Sequence, residues 1–106
     1  MRGRYMTSLL LLVISAAPAA AIDVTEEIVA PAQRYLGNSY CFGSASPDCF
    51  DCSGFVSYIY RGFVPDLPRS SRSMAGHGEP VAVEAVRPGD LLFFTTRPNP
   101  GVITHV

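Results

Sequence analysis

The stretch Asp51-Cys52-Ser53-Gly54-Phe55-Val56-Ser57-Tyr58-Ile59-Tyr60 decides how this chain is read. Phe55, Val56, Ile59, Tyr60 and, just beyond, Phe63 recur at intervals of three and four, the spacing of a helix with one buried face. Asp51 suits the N-cap, because its carboxylate accepts from the unpaired amides of the first turn. Cys52 then takes the first helical position, where the helix dipole and the free N–H groups favour a thiolate. Such a thiolate is a nucleophile once a base lies within reach. The base the sequence offers is His105, the second-to-last residue. The blander readings are a buried or disulfide-bonded cysteine and a half-buried strand histidine satisfied by a carbonyl.

Upstream, residues 38–50 are rich in Gly, Ser, Pro and Asp and read as a loop leading into that helix. This loop holds Cys41 and Cys49, so the chain carries three cysteines and leaves at least one over in a monomer. Cys41 and Cys49 are the pair that would close a short loop and spare Cys52. Cys49-Phe50-Asp51-Cys52 is also a C-x-x-C, but no strand precedes it as a thioredoxin-like redox pair requires. A zinc site built from Cys41, Cys49, Cys52 and His77 or His105 lacks the usual second ligand pair. Earlier still, Asp23 followed by Glu26 resembles a capping box opening a helix through Ile28, Val29, Ala32, Tyr35 and Leu36. Pro31 either kinks this helix or begins it, and Gly37 stops it.

Downstream, the nucleophile helix ends near Gly62. Asp66-Leu67-Pro68-Arg69-Ser70-Ser71 opens an irregular stretch with one short helical turn through Met74. Arg69 reads as a loop tether or a substrate contact, and His77, between two glycines, as an exposed loop residue. Arg87-Pro88-Gly89-Asp90 is a turn and Leu91-Leu92-Phe93-Phe94 a buried strand. Val102 to Val106 begins another strand, with Ile103 and His105 on one face and Val102, Thr104 and Val106 on the other.

The N-terminus has the build of a leader. Arg2 and Arg4 form a positive region, Leu9 to Ala17 an apolar one, and Ala19-Ala20-Ala21 a small-residue cleavage pattern. The apolar run is shorter than a membrane span and is broken by Pro18. The expected division is therefore 1–21 signal peptide and 22–106 one mature domain with a thin core. The expected product is exported to the periplasm, the cell wall or the medium, with no stable membrane anchor. All eight basic residues are arginine, and nine acids against the six that remain give the mature domain a charge of −3. Nothing in this balance supports nucleic-acid binding.

Taken together, Tyr35-Leu36-Gly37, Tyr40 with Gly43, Asp51 to Val56, Leu67-Pro68-Arg69-Ser70-Ser71, Pro88-Gly89-Asp90-Leu91-Leu92-Phe93-Phe94 and His105-Val106 resemble, in order, the NlpC family of bacterial cell-wall cysteine peptidases. The resemblance implies a papain-like α+β fold in which a Cys-bearing helix packs on an antiparallel sheet carrying the histidine. It implies hydrolysis of amide bonds in peptidoglycan stem peptides, typically between D-glutamate and a diamino acid, with no cofactor or metal, by a monomer. Cys52 falls on the nucleophile and His105 on the base. Tyr40, Asp51 and Ser53 fall on residues that line the substrate site in relatives recognising a free amino end.

The sequence also departs from the family. Ser39 stands where the family usually has Pro, and Ser44 where a second Gly is common. The family's third polar residue (His, Asn or Gln) and its later strands have no counterpart after Val106, so the domain reads as C-terminally shortened. The alternatives are a non-catalytic remnant that binds wall peptides and a related peptidoglycan amidase.

Overall fold

Helix α2 (Cys52–Tyr60) begins where Asp51 allows it to. In the computed structural model, which describes residues 5–6, 9–15, 22–96, 98 and 101–106, Asp51 is extended at φ −87°, ψ 177°. Its carboxylate accepts from the Gly54 amide at 2.6 Å, which satisfies one of the first-turn donors. The buried face of α2, Val56, Ile59 and Tyr60, meets Ile28, Met74, Leu91, Phe93 and Ile103 in a single core. Phe93 and Met74 are wholly enclosed.

The N-terminal helical stretch is expected from Asp23 onward, and Asp23 does cap it, its side chain accepting from the Glu26 amide at 3.2 Å. The turn that follows, Thr25–Val29, is π-helical, and the α-helical part is only α1 (Ala30–Gln33). The second sequence option for Pro31 holds to within a residue, since the α-helical part begins at Ala30 with Pro31 in its first turn, and the π-helical turn precedes it. Pro31 has no N–H to donate and its ring crowds the preceding turn, so a turn closed by longer-range bonds accommodates it without breaking the helix. Leu36, expected on the buried face, lies past the last helical residue and is 82% exposed.

Two small sheets complete the α+β architecture. In one, β2 (Leu9–Ser15) is central. It pairs antiparallel with β1 (Tyr5–Met6), β6 (Glu79–Val81) and β7 (Leu91–Phe94). The apolar run read above as the heart of a leader is thus a sheet strand here. Arg2, Arg4 and the Ala19–Ala21 cleavage pattern lie outside the described residues. In the other sheet, β5 (Cys49–Phe50) lies between β3 (Ser39–Tyr40), parallel to it, and β4 (Ala45–Ser46), antiparallel to it. This second sheet folds the expected loop into a platform just ahead of α2. Ser70 caps the short helix α3 (Ser71–Met74), accepting from the Ser73 amide. No helix among the described residues is long and apolar enough to cross a membrane.

Strand β7 forms where the apolar run predicts. It is buried on one face only, with Leu91 and Phe93 inward and Leu92 outward. The strand expected over 102–106 contracts to one antiparallel bridge, Phe94 to His105. Ile103 is buried and His105 exposed, so these two residues do not share an environment as an alternating strand would give them. Instead, a turn of chain closes through Thr104, whose hydroxyl accepts from the Thr96 amide at 2.9 Å and meets the Thr96 hydroxyl at 2.7 Å.

At the turn before β7, Gly89 has φ +93°, and a Cβ there would sit 2.5 Å from Val24 Cγ1. Only glycine accepts both conditions. Its carbonyl accepts from the Tyr60 hydroxyl, tying the end of α2 to this turn. Burial, with Asp90 nearby, pushes the Tyr60 phenol up to about 12, which keeps it a neutral donor.

Candidate active site

Cys52 is the first residue of α2 and is partly buried. Among the described residues it is the free cysteine, because Cys41 and Cys49 are joined by a disulfide across a Cα–Cα distance of 5.5 Å. The C-x-x-C therefore does not act as a pair: its first member is bound to the loop and its second faces the cleft. The bridged loop is further fixed from inside. The Cys41 amide donates to the Phe50 carbonyl, the Ser44 amide to the Cys41 carbonyl, and the Ser44 hydroxyl to the Cys49 carbonyl at 2.8 Å. Ser44, where the family tends to have glycine, is thus part of the loop's own bracing.

The same loop presses on the start of α2. The Asp51 amide donates to the Ser44 carbonyl at 2.9 Å. A Cβ on Gly54 would lie 2.1 Å from that carbonyl oxygen. The glycine two residues after Cys52 is therefore a packing requirement, since any side chain would push the loop off the helix. Asp51 gathers more than its cap bond. Its carboxylate accepts from the Gly43 amide at 3.0 Å and from both terminal nitrogens of Arg69 at 3.0 Å each. Arg69 also donates to the Ser53 hydroxyl at 2.8 Å. Partial burial alone would raise the Asp51 pKa, but the Arg69 bonds, the Gly54 and Gly43 amides and the Arg69 charge outweigh it. The net result is a carboxyl held below its ordinary value of 3.8.

His105 sits across the cleft on the bridge to β7. It is exposed, and its backbone is fixed by three bonds exchanged between Phe94 and residues 104 and 105. Its ring lies tilted on Phe94 at 5.8 Å between centroids. Among the described residues its imidazole has no hydrogen-bond partner.

Cys52 and His105 line one cavity of about 290 Å³ together with Tyr40, Asp51, Tyr35, Phe50 and Phe55. Of the residues singled out from sequence, the fold gathers Cys52, His105, Tyr40 and Asp51 at this cleft. Tyr40 stands on its rim, 69% exposed. Ser53 is buried beside it and turned toward Arg69.

The aromatic floor escapes a reading by motif. Tyr35, Phe50, Phe55 and Tyr58 meet edge to face or tilted, with centroids 5.3–6.3 Å apart, a geometry aromatic rings favour. Its sequence signal is only the scattering of four aromatics over residues 35–58, which resembles ordinary core. Leu36, which also lines the cavity, is equally silent, since it follows a helical pattern yet is 82% exposed.

A family model described as the NlpC/P60 family matches residues 37–106. Over 67 residues the chain is 42% identical to a protein of Listeria seeligeri named probable endopeptidase p60, a match covering 63% of this chain and 13% of the relative. Over 91 residues it is 38% identical to the gamma-DL-glutamyl hydrolase of Bacillus subtilis, covering 84% and 21%. Over 79 residues it is 38% identical to a probable endopeptidase of Corynebacterium glutamicum, covering 74% and 37%. The chain thus spans from about an eighth to about a third of the length of these curated relatives.

Proposed function

We propose, on the premise that this chain belongs to the NlpC/P60 family, that it is an exported cysteine peptidase of peptidoglycan stem peptides, cutting the amide bond between D-glutamate and a diamino acid. The observation that carries this reading is the placement of Cys52 at a capped helix start on one wall of the cleft and His105 on the other. The names of the relatives, an endopeptidase and a γ-glutamyl hydrolase, support the bond class.

In the proposed mechanism His105 takes the Cys52 proton, and Sγ attacks the γ-carbonyl carbon of the glutamyl residue. The carbonyl oxygen gathers negative charge beside the first-turn amides of α2, where the Cys52 N–H has no intrahelical partner. Collapse of the tetrahedral species expels the diamino acid amine, which receives its proton from His105. A thioester remains, and water, deprotonated by the same imidazole, hydrolyses it and frees Cys52. In this reading the exposed Tyr40 meets the peptide, a role supported by its place among the residues lining the cavity, and the aromatic side chains beside it exclude water. In the same reading residues 1–21 serve as a leader and leave on export, because the wall substrate lies outside the cytoplasm; the pairing of β2 with β6 and β7 then belongs to the uncleaved chain.

A second reading is a remnant that binds wall peptides without cutting them; among the described residues the His105 imidazole has no hydrogen-bond partner, which favours it. A defined γ-D-glutamyl–diamino acid peptide followed by mass spectrometry separates the two. Release of the free diamino acid at a rate abolished by alkylation of Cys52 supports the peptidase. Binding of the peptide with no product over days supports the remnant, and a cut at another wall amide supports the amidase.

A further inference from the structure

The carboxylate beside the nucleophile is already full. A carboxylate offers about four in-plane acceptor positions. In Asp51, Oδ1 takes the Gly54 amide and one Arg69 nitrogen, while Oδ2 takes the Gly43 amide and the other. An incoming ammonium group would find no free lone pair and would approach a guanidinium already seated there. Ser53 is spoken for as well, buried with its oxygen 2.8 Å from Arg69. The fork therefore grips the residues immediately before and after Cys52.

Arg69 is itself well supported. Leu67 before it packs against the core, Ser70 after it caps α3, and Met74 on α3 is wholly buried. The planar fork of arginine meets a carboxylate at two points, which a lysine ammonium does not.

We infer that Arg69 is a positioning residue which, acting through the Asp51 carboxylate and the Ser53 hydroxyl, fixes the backbone on both sides of Cys52, and that Asp51 is its anchor rather than a receptor for the substrate's amino end. This rests on the peptidase reading for its catalytic consequence but not for its geometry. Three segments converge on one carboxylate: the disulfide loop through Gly43, the helix start through Gly54, and the 66–70 stretch through Arg69. Losing the fork frees the helix start to shift relative to the cleft. Displacement of a reacting group by about an ångström lowers turnover by up to about 100-fold.

The test uses the full 106-residue chain with Arg69→Gln, Arg69→Lys, Asp51→Asn and the double variant Asp51→Asn/Arg69→Gln. Each is first checked for a cooperative thermal transition. Two substrates are compared: a γ-D-glutamyl–diamino acid peptide with a free amino end, and the same peptide acetylated there. The expected result is a fall in kcat of about tenfold for Arg69→Gln and for Asp51→Asn on both peptides, with KM within about twofold. Arg69→Lys should recover less than half of the loss, and the double variant should be no worse than about twofold below the poorer single. A KM increase in Asp51→Asn confined to the free-amine peptide, or losses that multiply in the double variant, overturns the inference.

Alkylation of Cys52 by iodoacetamide runs the same cycle without substrate. Both single variants should slow it by a similar factor, about three- to tenfold, and the double no further. Independent effects overturn the inference. If the wild type cuts neither peptide, the peptidase reading fails, and the alkylation cycle still decides the role of Arg69.

Discussion

The two walls of the cleft are built by different means. The nucleophile wall is braced by side chains: a disulfide, a capping carboxylate, an arginine fork and a serine hydroxyl all converge within residues 41–54 and Arg69. The base wall is held by backbone, through one bridge to β7 and a threonine pair behind it, while the imidazole stands exposed on Phe94. Side-chain bracing fixes the direction of a group as well as its place, whereas backbone bonding fixes only its place. The residues on both sides of Cys52 are therefore fixed in direction as well as place, and His105 only in place.

The largest effects should come from the reacting groups themselves. Cys52→Ser should lower hydrolysis on the order of 10⁴-fold or more with the fold intact, as read by circular dichroism and peptide release. Turnover within tenfold of the wild type would remove Cys52 from its role. His105→Ala should cost about 10²–10⁴-fold, the range of a general base. A loss under tenfold would show this histidine to be a bystander.

The bracing can then be dismantled. Cys41→Ser/Cys49→Ser opens a loop of about eight residues, a loss of up to about 2.5 kcal/mol by the chain-entropy account. Denaturant midpoints under non-reducing conditions measure it, and an unchanged midpoint would mean the loop is held by its hydrogen bonds alone. Acid is a gentler instrument. Folding holds Asp51 below its usual 3.8, so its contribution is complete above that value and drains away as pH falls through the lower folded pKa. Stability measured downward from pH 4 should drop less steeply in Asp51→Asn than in the wild type, and parallel curves would contradict this. On the base wall, Thr104→Val should cost only about 1 kcal/mol in thermal or denaturant unfolding, the scale of a single hydrogen bond. A cost above about 3 kcal/mol would place that wall on the same footing as its opposite.

What the sequence made legible follows the range of the interactions. Helix α2, its Asp51 cap and strand β7 are written in residues within a few positions of one another, and each formed where expected; the short turn through Met74 formed too, with Ser70 as its cap, a role not singled out from sequence. Cys52 and His105, singled out from sequence, line one cavity, and the ordered blocks they belong to fall largely within residues 37–106, which the family model matches. The failures are non-local. Arg69 joins partners 16 and 18 residues away, and no local spacing marks that fork. Pro31 does stand in the first turn of α1, one of the two outcomes read from sequence, but the π-helical turn over Thr25–Val29 ahead of it was not foreseen. Residues 102–106 alternate well enough for a strand, yet alternation does not supply pairing partners, and one bridge is what they found. The strand role of Leu9–Ser15 was hidden because a run of seven apolar and small residues suits a leader and a central strand alike.

That last strand sets a clock. Its partners in β7 lie about eighty residues further along the chain, and pairings so distant form late. At about 5–20 residues per second of synthesis, Leu9–Ser15 leaves the ribosome roughly 4–16 seconds before Leu91–Phe94 exists to receive it. During that interval it is an unpaired apolar ribbon, open to whatever captures nascent hydrophobic segments. In the uncleaved chain, once β7 arrives, the ribbon becomes the central strand of a sheet and its backbone is paired. The fate of each newly made chain is thus a race between capture and zippering, and its outcome is set by elongation speed as much as by affinity.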